Sequence, residues 1–464
     1  MRLFLRAFLL AILAPATAGL AQGQLPAETS AKIDSDVAKA LADTGTPSAS
    51  IAVVKDNQIV YVKAYGNARL EPPSPARPEM RYSIGSVSKQ FLALSILLLA
   101  EEGKLRLDDP VGRYLPSLTR ANDITIRELL SHTSGYEDYY PLDYVAPFML
   151  APVTADEILV RWAKKPLDFE PGTQWQYSNT NYVVAGRILE KVTGRPLWSF
   201  LEDRIFRPLG MATPINLDAQ PLSDSDAAGT TRFGLGPLHP ATPEAPGWLF
   251  AAGELAMTPR DLAIWDQALL EGKILKPASM KEFITTARLA NGTPTNYALG
   301  VGVSNSDAHP RLSHGGAVSG FVSQNSVWLE QGAAVVVLTN LDGSSAARLI
   351  TDQVAPLILA EKEDPEAAQR LEQARRIFGD LQEGKIDRSI LSSDAASYFT
   401  PQVLADAKSS LQPLGAPATF EQMAFGQRGG MTYRYFRIVL ASGKTLTLST
   451  FSLPNGKLSQ YLIQ

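Results

Sequence analysis

Ser86 and Lys89 stand three residues apart in RYSIGSVSKQF, at the head of a strongly apolar stretch. At a helix start this spacing puts both side chains on one face. A serine hydroxyl is a poor nucleophile until a neighbouring base takes its proton. A lysine can be that base if burial or nearby positive charge lowers its pKa. The same helix start offers unpaired backbone N–H groups to a developing oxyanion. The plain alternative is a helix cap beside a solvated lysine. A second group is Tyr177-Ser178-Asn179, within PGTQWQYSNTNY. A phenol can shuttle protons, and an amide can hold a lysine or a substrate carbonyl. Alone, this group reads equally as a polar turn before a helix. A third is His314-Gly315-Gly316, in RLSHGGAVSGF. Two glycines allow close backbone approach, and an edge strand starting there could pair with an extended ligand and donate the Ala317 N–H to an oxyanion. Otherwise it is a glycine-rich strand entry. Nucleophile, base and oxyanion donors together would perform acyl transfer with no cofactor.

Other chemistries are thinly supported. The 464 residues contain no cysteine, which removes thiol nucleophiles, disulfides and thiolate metal sites. The four histidines, His132, His239, His309 and His314, include no i,i+4 pair, so a helical HExxH zinc site is absent. No residues point to a metal. There is no G-x-S-x-G elbow, P-loop or G-x-G-x-x-G fingerprint. With 43 Lys+Arg against 47 Asp+Glu, the chain has no basic excess for nucleic acid.

The elements that must carry these residues follow from periodicity. Residues 1–24 have two arginines, a short apolar run and Ala16-Thr17-Ala18, with Ala21 as a second cleavage candidate. This is the pattern of a secretory signal peptide, implying a periplasmic or secreted protein with no stable membrane span after its removal. A helix is expected over 27–44 and a hairpin over 48–66 around Asp56-Asn57, then a Pro-rich loop over 71–80. Residues 88–102 predict a helix, apolar nearly all round and therefore central, stopped by Gly103. Short helices alternate with loops over 125–275. Strands are expected at 297–304, 321–329 and 333–340. The fold class is α/β (α+β): one antiparallel sheet flanked by helices, with a helical lobe in the middle of the chain. After a charged stretch at 361–368, helices near 367–383 and 400–411 precede strands at 431–441, 444–451 and 457–463. The expected domains are thus 25–360 and a small α+β accessory domain, 366–464.

In their order, S-x-x-K, Y-x-N and H-G-G resemble the serine β-lactamase and penicillin-binding-protein superfamily, nearest its class C-like branch of esterases and D-amino-acid peptidases. LLSHTSGYEDY (129–139) and AAGELAMTPRDLAIW (251–265) are similar to further family signatures. The resemblance implies a β-lactamase/transpeptidase-like fold over about 27–360. It makes Ser86 the nucleophile, with Lys89 and Tyr177 moving its proton. The N–H groups of Ser86 and Ala317 would hold the oxyanion, and Asn179 and His314 would orient the substrate along the Gly315-Gly316 strand. The substrate would be a small ester, peptide or β-lactam. An esterase or peptidase is favoured, a D-Ala-D-Ala carboxypeptidase or β-lactamase is the alternative, and a non-catalytic binder of peptidoglycan or β-lactams is the reading of another class. Two positions depart from the pattern. His314 replaces the usual lysine and is only partly charged near neutrality, which weakens carboxylate recognition. Glu254 replaces a glycine and is expected to be a structural surface carboxylate, with a general base as the alternative. His132 is expected to order a loop, and the aromatic run 136–149 either walls a cleft or packs a loop. The last domain resembles cystatin-like or nuclear-transport-factor-like cones. It could bind peptide or glycan, dimerise, or cover the catalytic domain.

Overall fold

The computed structural model describes residues 24–142, 144–304, 309–359 and 364–464. The expected signal peptide lies outside the described residues. Among those described, no helix is long and apolar enough to cross a membrane. The chain parts into two compact units near residue 360.

The first unit is built on one seven-stranded sheet. Its strands are β1 (Ser48–Lys55), β2 (Gln58–Leu70), β3 (Pro73–Pro75), β4 (Gly302–Ser304), β5 (Arg311–Val318), β6 (Phe321–Trp328) and β7 (Ala333–Thr339). They run in the order β3-β2-β1-β7-β6-β5-β4, all antiparallel. β1 and β7 are buried on both faces, as their unbroken runs of small and β-branched residues require. The β1–β2 turn places Asp56 and Asn57 at φ +52° and +59°, the left-handed pair of a type I′ hairpin. Two expectations change in detail. Part of the Pro-rich loop becomes the edge strand β3, where missing N–H groups cost no ladder bonds. The strand expected at 297–304 shrinks to β4, because Gly300 takes a left-handed φ of +76° and turns the chain against Lys89.

Helices cover both faces. α1 (Ala27–Thr44) packs Ile33, Val37 and Leu41 on one face together with α5 (Ala346–Ile358), against Ile51, Val53, Val335 and Val337. The opposite face carries Ala52, Val54, Val336 and Leu338, which join the core of the helical lobe. There α2 (Lys89–Glu101) is buried nearly all round. Beside it lie α3 (Asn179–Thr193) and α4 (Pro259–Leu270).

In the second unit, α6 (Ala367–Gln382) and α7 (Pro401–Leu411) accompany a meander of β8 (Pro417–Arg428), β9 (Met431–Leu440), β10 (Thr445–Ser452) and β11 (Leu458–Ile463). β8 escaped the sequence reading because it is an edge strand whose one buried side chain is Phe420. That ring meets Phe378 of α6 edge-on. Beneath the sheet, Arg434 is almost wholly buried and grips Asp364 with two bonds of 2.6 and 2.8 Å. This pairing draws the Asp364 carboxyl down to about 2. Glu366 also accepts from this guanidinium, at 3.2 Å, so loss of Asp364 leaves the buried charge half-paired and costs less than the ~3–5 kcal/mol of a fully broken buried pair. Asp364→Ala is therefore expected to lower the melting temperature of this unit. In the native chain the pair's contribution is complete above about pH 4 and fades as pH falls toward 2, measurable by acid-dependent thermal melts.

Candidate active site

Ser86 lies in a 3₁₀ turn, Gly85–Ser88, that runs straight into α2. With three residues per turn, Ser86 and Lys89 eclipse rather than merely share a face. The turn is held by backbone on two sides. Ile84 N–H donates to Leu255 O at 3.0 Å, and Leu255 N–H donates to Ser88 Oγ at 3.2 Å. Ser323 Oγ donates to Ile84 O at 2.8 Å. Two glycines make the third contact. A Cβ on Gly316 would lie 1.9 Å from Ile84 O, and one on Gly85, at φ +49°, would lie 2.9 Å from Ala317 N. Here glycine lets β5 press directly on the serine turn.

Lys89 is fully buried, so the solvated-lysine alternative does not hold. Its Nζ donates to Ser86 Oγ at 3.0 Å, Asn179 Oδ1 at 2.8 Å and Ala252 O at 2.7 Å. Burial pulls its pKa down to about 7, and the Asp138 carboxylate pulls weakly the other way. The rings of Tyr177 and Tyr182 lie 5.0 and 5.3 Å from Nζ.

Tyr177 and Asn179 come from the entry to α3. The Tyr177 hydroxyl is buried and has no hydrogen-bond partner among the described residues. Burial raises this phenol above its ordinary 10, and the neighbouring Ser86 hydroxyl works weakly against that rise without a bond of full geometry. His132, at φ +61°, stacks on Tyr177 with ring centres 4.2 Å apart, and its Nδ1 accepts Ser178 N–H at 3.1 Å. Burial first, then the charge of Lys89, hold His132 neutral, so it acts as a loop anchor and a floor for the tyrosine. Asn179 is fixed from behind. Asp138 accepts its backbone N–H at 2.9 Å and its Nδ2 at 3.3 Å, which leaves Oδ1 for the lysine.

On β5 the ladder to β4 ends at Ser313, so His314 to Val318 form an open edge. The β5–β6 hairpin closes on Val318 and Phe321 around two residues. Alternation of bonded and unbonded pairs then turns the Ala317 N–H and C=O away from β6. His314 differs from expectation. Its Nδ1–H donates to Gly315 O at 2.6 Å, and its Nε2 meets Tyr297 Oη at 2.8 Å. Burial, followed by repulsion from Lys89, pulls its pKa to about 4. The ring is neutral near pH 7, and both nitrogens are bound within the chain.

These groups line one cleft of about 840 Å³: Ser86, Tyr177, Asn179, His314, Gly315, Gly316 and Ala317 all reach it. Lys89 sits beneath the floor. The aromatic run is divided: Tyr139, Tyr140, Tyr144 and Met149 wall the cleft, while Tyr136 packs into the core. Arg348 lines the cleft too. Glu254 is not on the surface. It is buried behind the cleft, and its carboxyl oxygen accepts Ala251 N–H. The sequence reading missed Asp138 and the Ala252 carbonyl: the first lies in no recognisable spacing, and the second is backbone. Among the described residues, no three or more His, Asp or Glu side chains converge to hold a metal.

A fully buried lysine against a cleft-lining serine, under an open strand edge, defines a serine hydrolase working through an acyl-enzyme. The chain matches the family described as Beta-lactamase over residues 33–358, and it belongs to that family. It is 27% identical over 314 residues to a putative penicillin-binding protein, PbpX, of Bacillus subtilis, covering 68% of this chain and 76% of that one. It is 31% identical over 217 residues to a putative D-alanyl-D-alanine carboxypeptidase of Escherichia coli, covering 42% of this chain and half of that one. A D-stereospecific amidohydrolase from a Streptomyces species superposes with a TM-score of 0.61 at 29% identity, over 69% of this chain and 96% of its own.

The glycine contacts make a direct forecast. In Gly316→Ala the new methyl must displace the Ile84 carbonyl, an overpacking that costs about 1–3 kcal/mol. Its melting temperature should fall, and Ser86 should react more slowly with a fluorophosphonate probe, read by intact-mass spectrometry.

Proposed function

We propose that this protein hydrolyses small esters or amides by two-step acyl transfer at Ser86. The observation that carries the reading is the fully buried Lys89 amine 3.0 Å from Ser86 Oγ. In its neutral form the amine has two protons and one lone pair. Asn179 Oδ1 and Ala252 O take the two protons, which points the lone pair at the Ser86 hydroxyl. Lys89 accepts the serine proton as Oγ attacks the carbonyl carbon. The N–H groups of Ser86 and Ala317 receive the oxyanion; Tyr177 gives its proton to the leaving group and takes one back from the Lys89 ammonium, which restores the neutral amine. A water molecule then attacks the acyl-enzyme and frees Ser86. Asn179, with one Nδ2 proton unspent on Asp138, orients the acyl carbonyl. Gly315, Gly316 and Ala317 pair with an extended substrate, and His314 holds that strand edge in place.

Two features favour esters and amides with apolar groups. The cleft wall is rich in tyrosine, and a neutral His314 offers no charge to a substrate carboxylate at that strand. Arg348 supports a second reading, in which a peptide carboxylate binds across the cleft, as a D-Ala-D-Ala carboxypeptidase requires. A purely binding role does not account for a lysine held near neutral pKa beside a serine. We further propose a periplasmic or secreted location, on the leader's residue pattern, and an accessory role for the domain at 366–464.

A panel of p-nitrophenyl esters, D-amino-acid amides and nitrocefin distinguishes these readings, with mass spectrometry for a covalent adduct. Ser86→Ala is expected to abolish turnover and adduct while remaining folded; undiminished turnover rejects the assignment. Because Lys89 must lose its proton, kcat/KM should rise with pH through about 7 and level off above it. Lys89→Ala should lower kcat/KM by about 10²–10⁴-fold. Arg348→Ala should raise KM for substrates with a free carboxylate and leave simple esters unaffected.

A further inference from the structure

Of the two acceptors that orient Lys89, Asn179 is braced by Asp138. The other, the Ala252 carbonyl, belongs to a tight turn over residues 249–253 that must be braced differently. Within it Ala252 N–H bonds back to Leu249 O at 3.0 Å, and Gly253 N–H bonds to the same carbonyl at 2.8 Å. Ala251 takes a left-handed φ of +60°, a conformation unfavourable for a residue with a Cβ. The Ala251 N–H is taken by a Glu254 carboxyl oxygen. Just upstream, Asp218 Oδ1 accepts Gly247 N–H at 2.8 Å. Glu254 is 2% exposed and does not reach the cleft, so it cannot touch a substrate.

We propose that Glu254 is a positioning residue for Lys89: by capping Ala251 N–H it locks the left-handed turn that aims the Ala252 carbonyl at the lysine amine. The inference rests on the reading of Lys89 as the base. Glu254 acts through the turn rather than through its charge. Among the described carboxylates, Asp138 is the one that bears on Lys89, while Asp218 and Glu190 face Glu254. The remaining titratable groups facing the lysine are Tyr177, Tyr182, His132 and His314. Burial, reinforced by Asp218, lifts the Glu254 carboxyl to about 8, so near pH 7 it is mostly the neutral acid. Glutamine therefore reproduces both its charge and its acceptor oxygen; alanine reproduces neither the acceptor nor the volume.

The test compares Glu254→Gln with Glu254→Ala in the full chain. Two readouts are used: the pH profile of kcat/KM on the best ester of the panel, and the titration of Lys89 by NMR of ¹³C-labelled lysine, assigned with Lys89→Arg. In Glu254→Ala, kcat/KM should fall about 10–100-fold, the scale of a small misplacement of a catalytic group. The Lys89 titration should move to lower pH, because a carbonyl acceptor favours the ammonium. Glu254→Gln should keep both within about twofold of the wild type. An unmoved Lys89 titration in a folded Glu254→Ala protein overturns the proposal. So does a Glu254→Gln protein whose titration shifts, and that variant decides the matter if the alanine variant fails to fold. Since the NMR titration needs no substrate, a shift seen in a protein that turns over nothing would uphold the positioning role and reject the catalytic reading instead.

Discussion

Everything at the site depends on keeping one amine out of water. Holding the Lys89 pKa near 7 instead of 10.5 means that its surroundings penalise the ammonium by on the order of 5 kcal/mol. Exposure would return that energy and leave Lys89 a protonated bystander. The apolar breadth of α2, more than a helix starting at a cleft would otherwise need, follows from this. So do the tyrosine rings beside Nζ and the neutral state of both nearby histidines. An imidazolium at His132 or His314 would also depress the lysine, but burial keeps each ring uncharged, and desolvation rather than cationic repulsion dominates.

Desolvation alone would yield an unpaired amine, and an unpaired buried amine is costly. The chain meets that cost with three partners from three distant segments: Ser86, Asn179 and Ala252. Each is itself secured. The serine turn is clamped by Leu255, Ser323 and the glycine edge of β5. Asn179 is tied to Asp138, and the Ala252 turn is capped by Glu254. The geometry of the site is thus a property of braces behind the cleft as much as of the residues that line it.

The small motifs were legible because their chemistry is local. Ser86 and Lys89 share a face through chain spacing alone, and Gly315-Gly316 announces a close backbone approach. The β1–β2 hairpin could be read because Asp56 and Asn57 are residues that tolerate left-handed backbone. β8 could not be read, since an edge strand with one buried side chain leaves no alternation to detect. Glu254 was misplaced on the surface because residue type is a guide to exposure only on average. Asp138 went unnoticed because a brace has no spacing rule.

The sequence by itself determined the order of the elements, the residue types available for acyl transfer and the family pattern that links them. Those depend on chain neighbours within a turn or two, or on the order of motifs along the chain. Only the tertiary structure decided which ionisable groups are charged. Burial is set by segments a hundred or more residues apart closing over one another. Before that closure, Lys89, His314 and Glu254 would each titrate near its ordinary value; after it, all three are displaced.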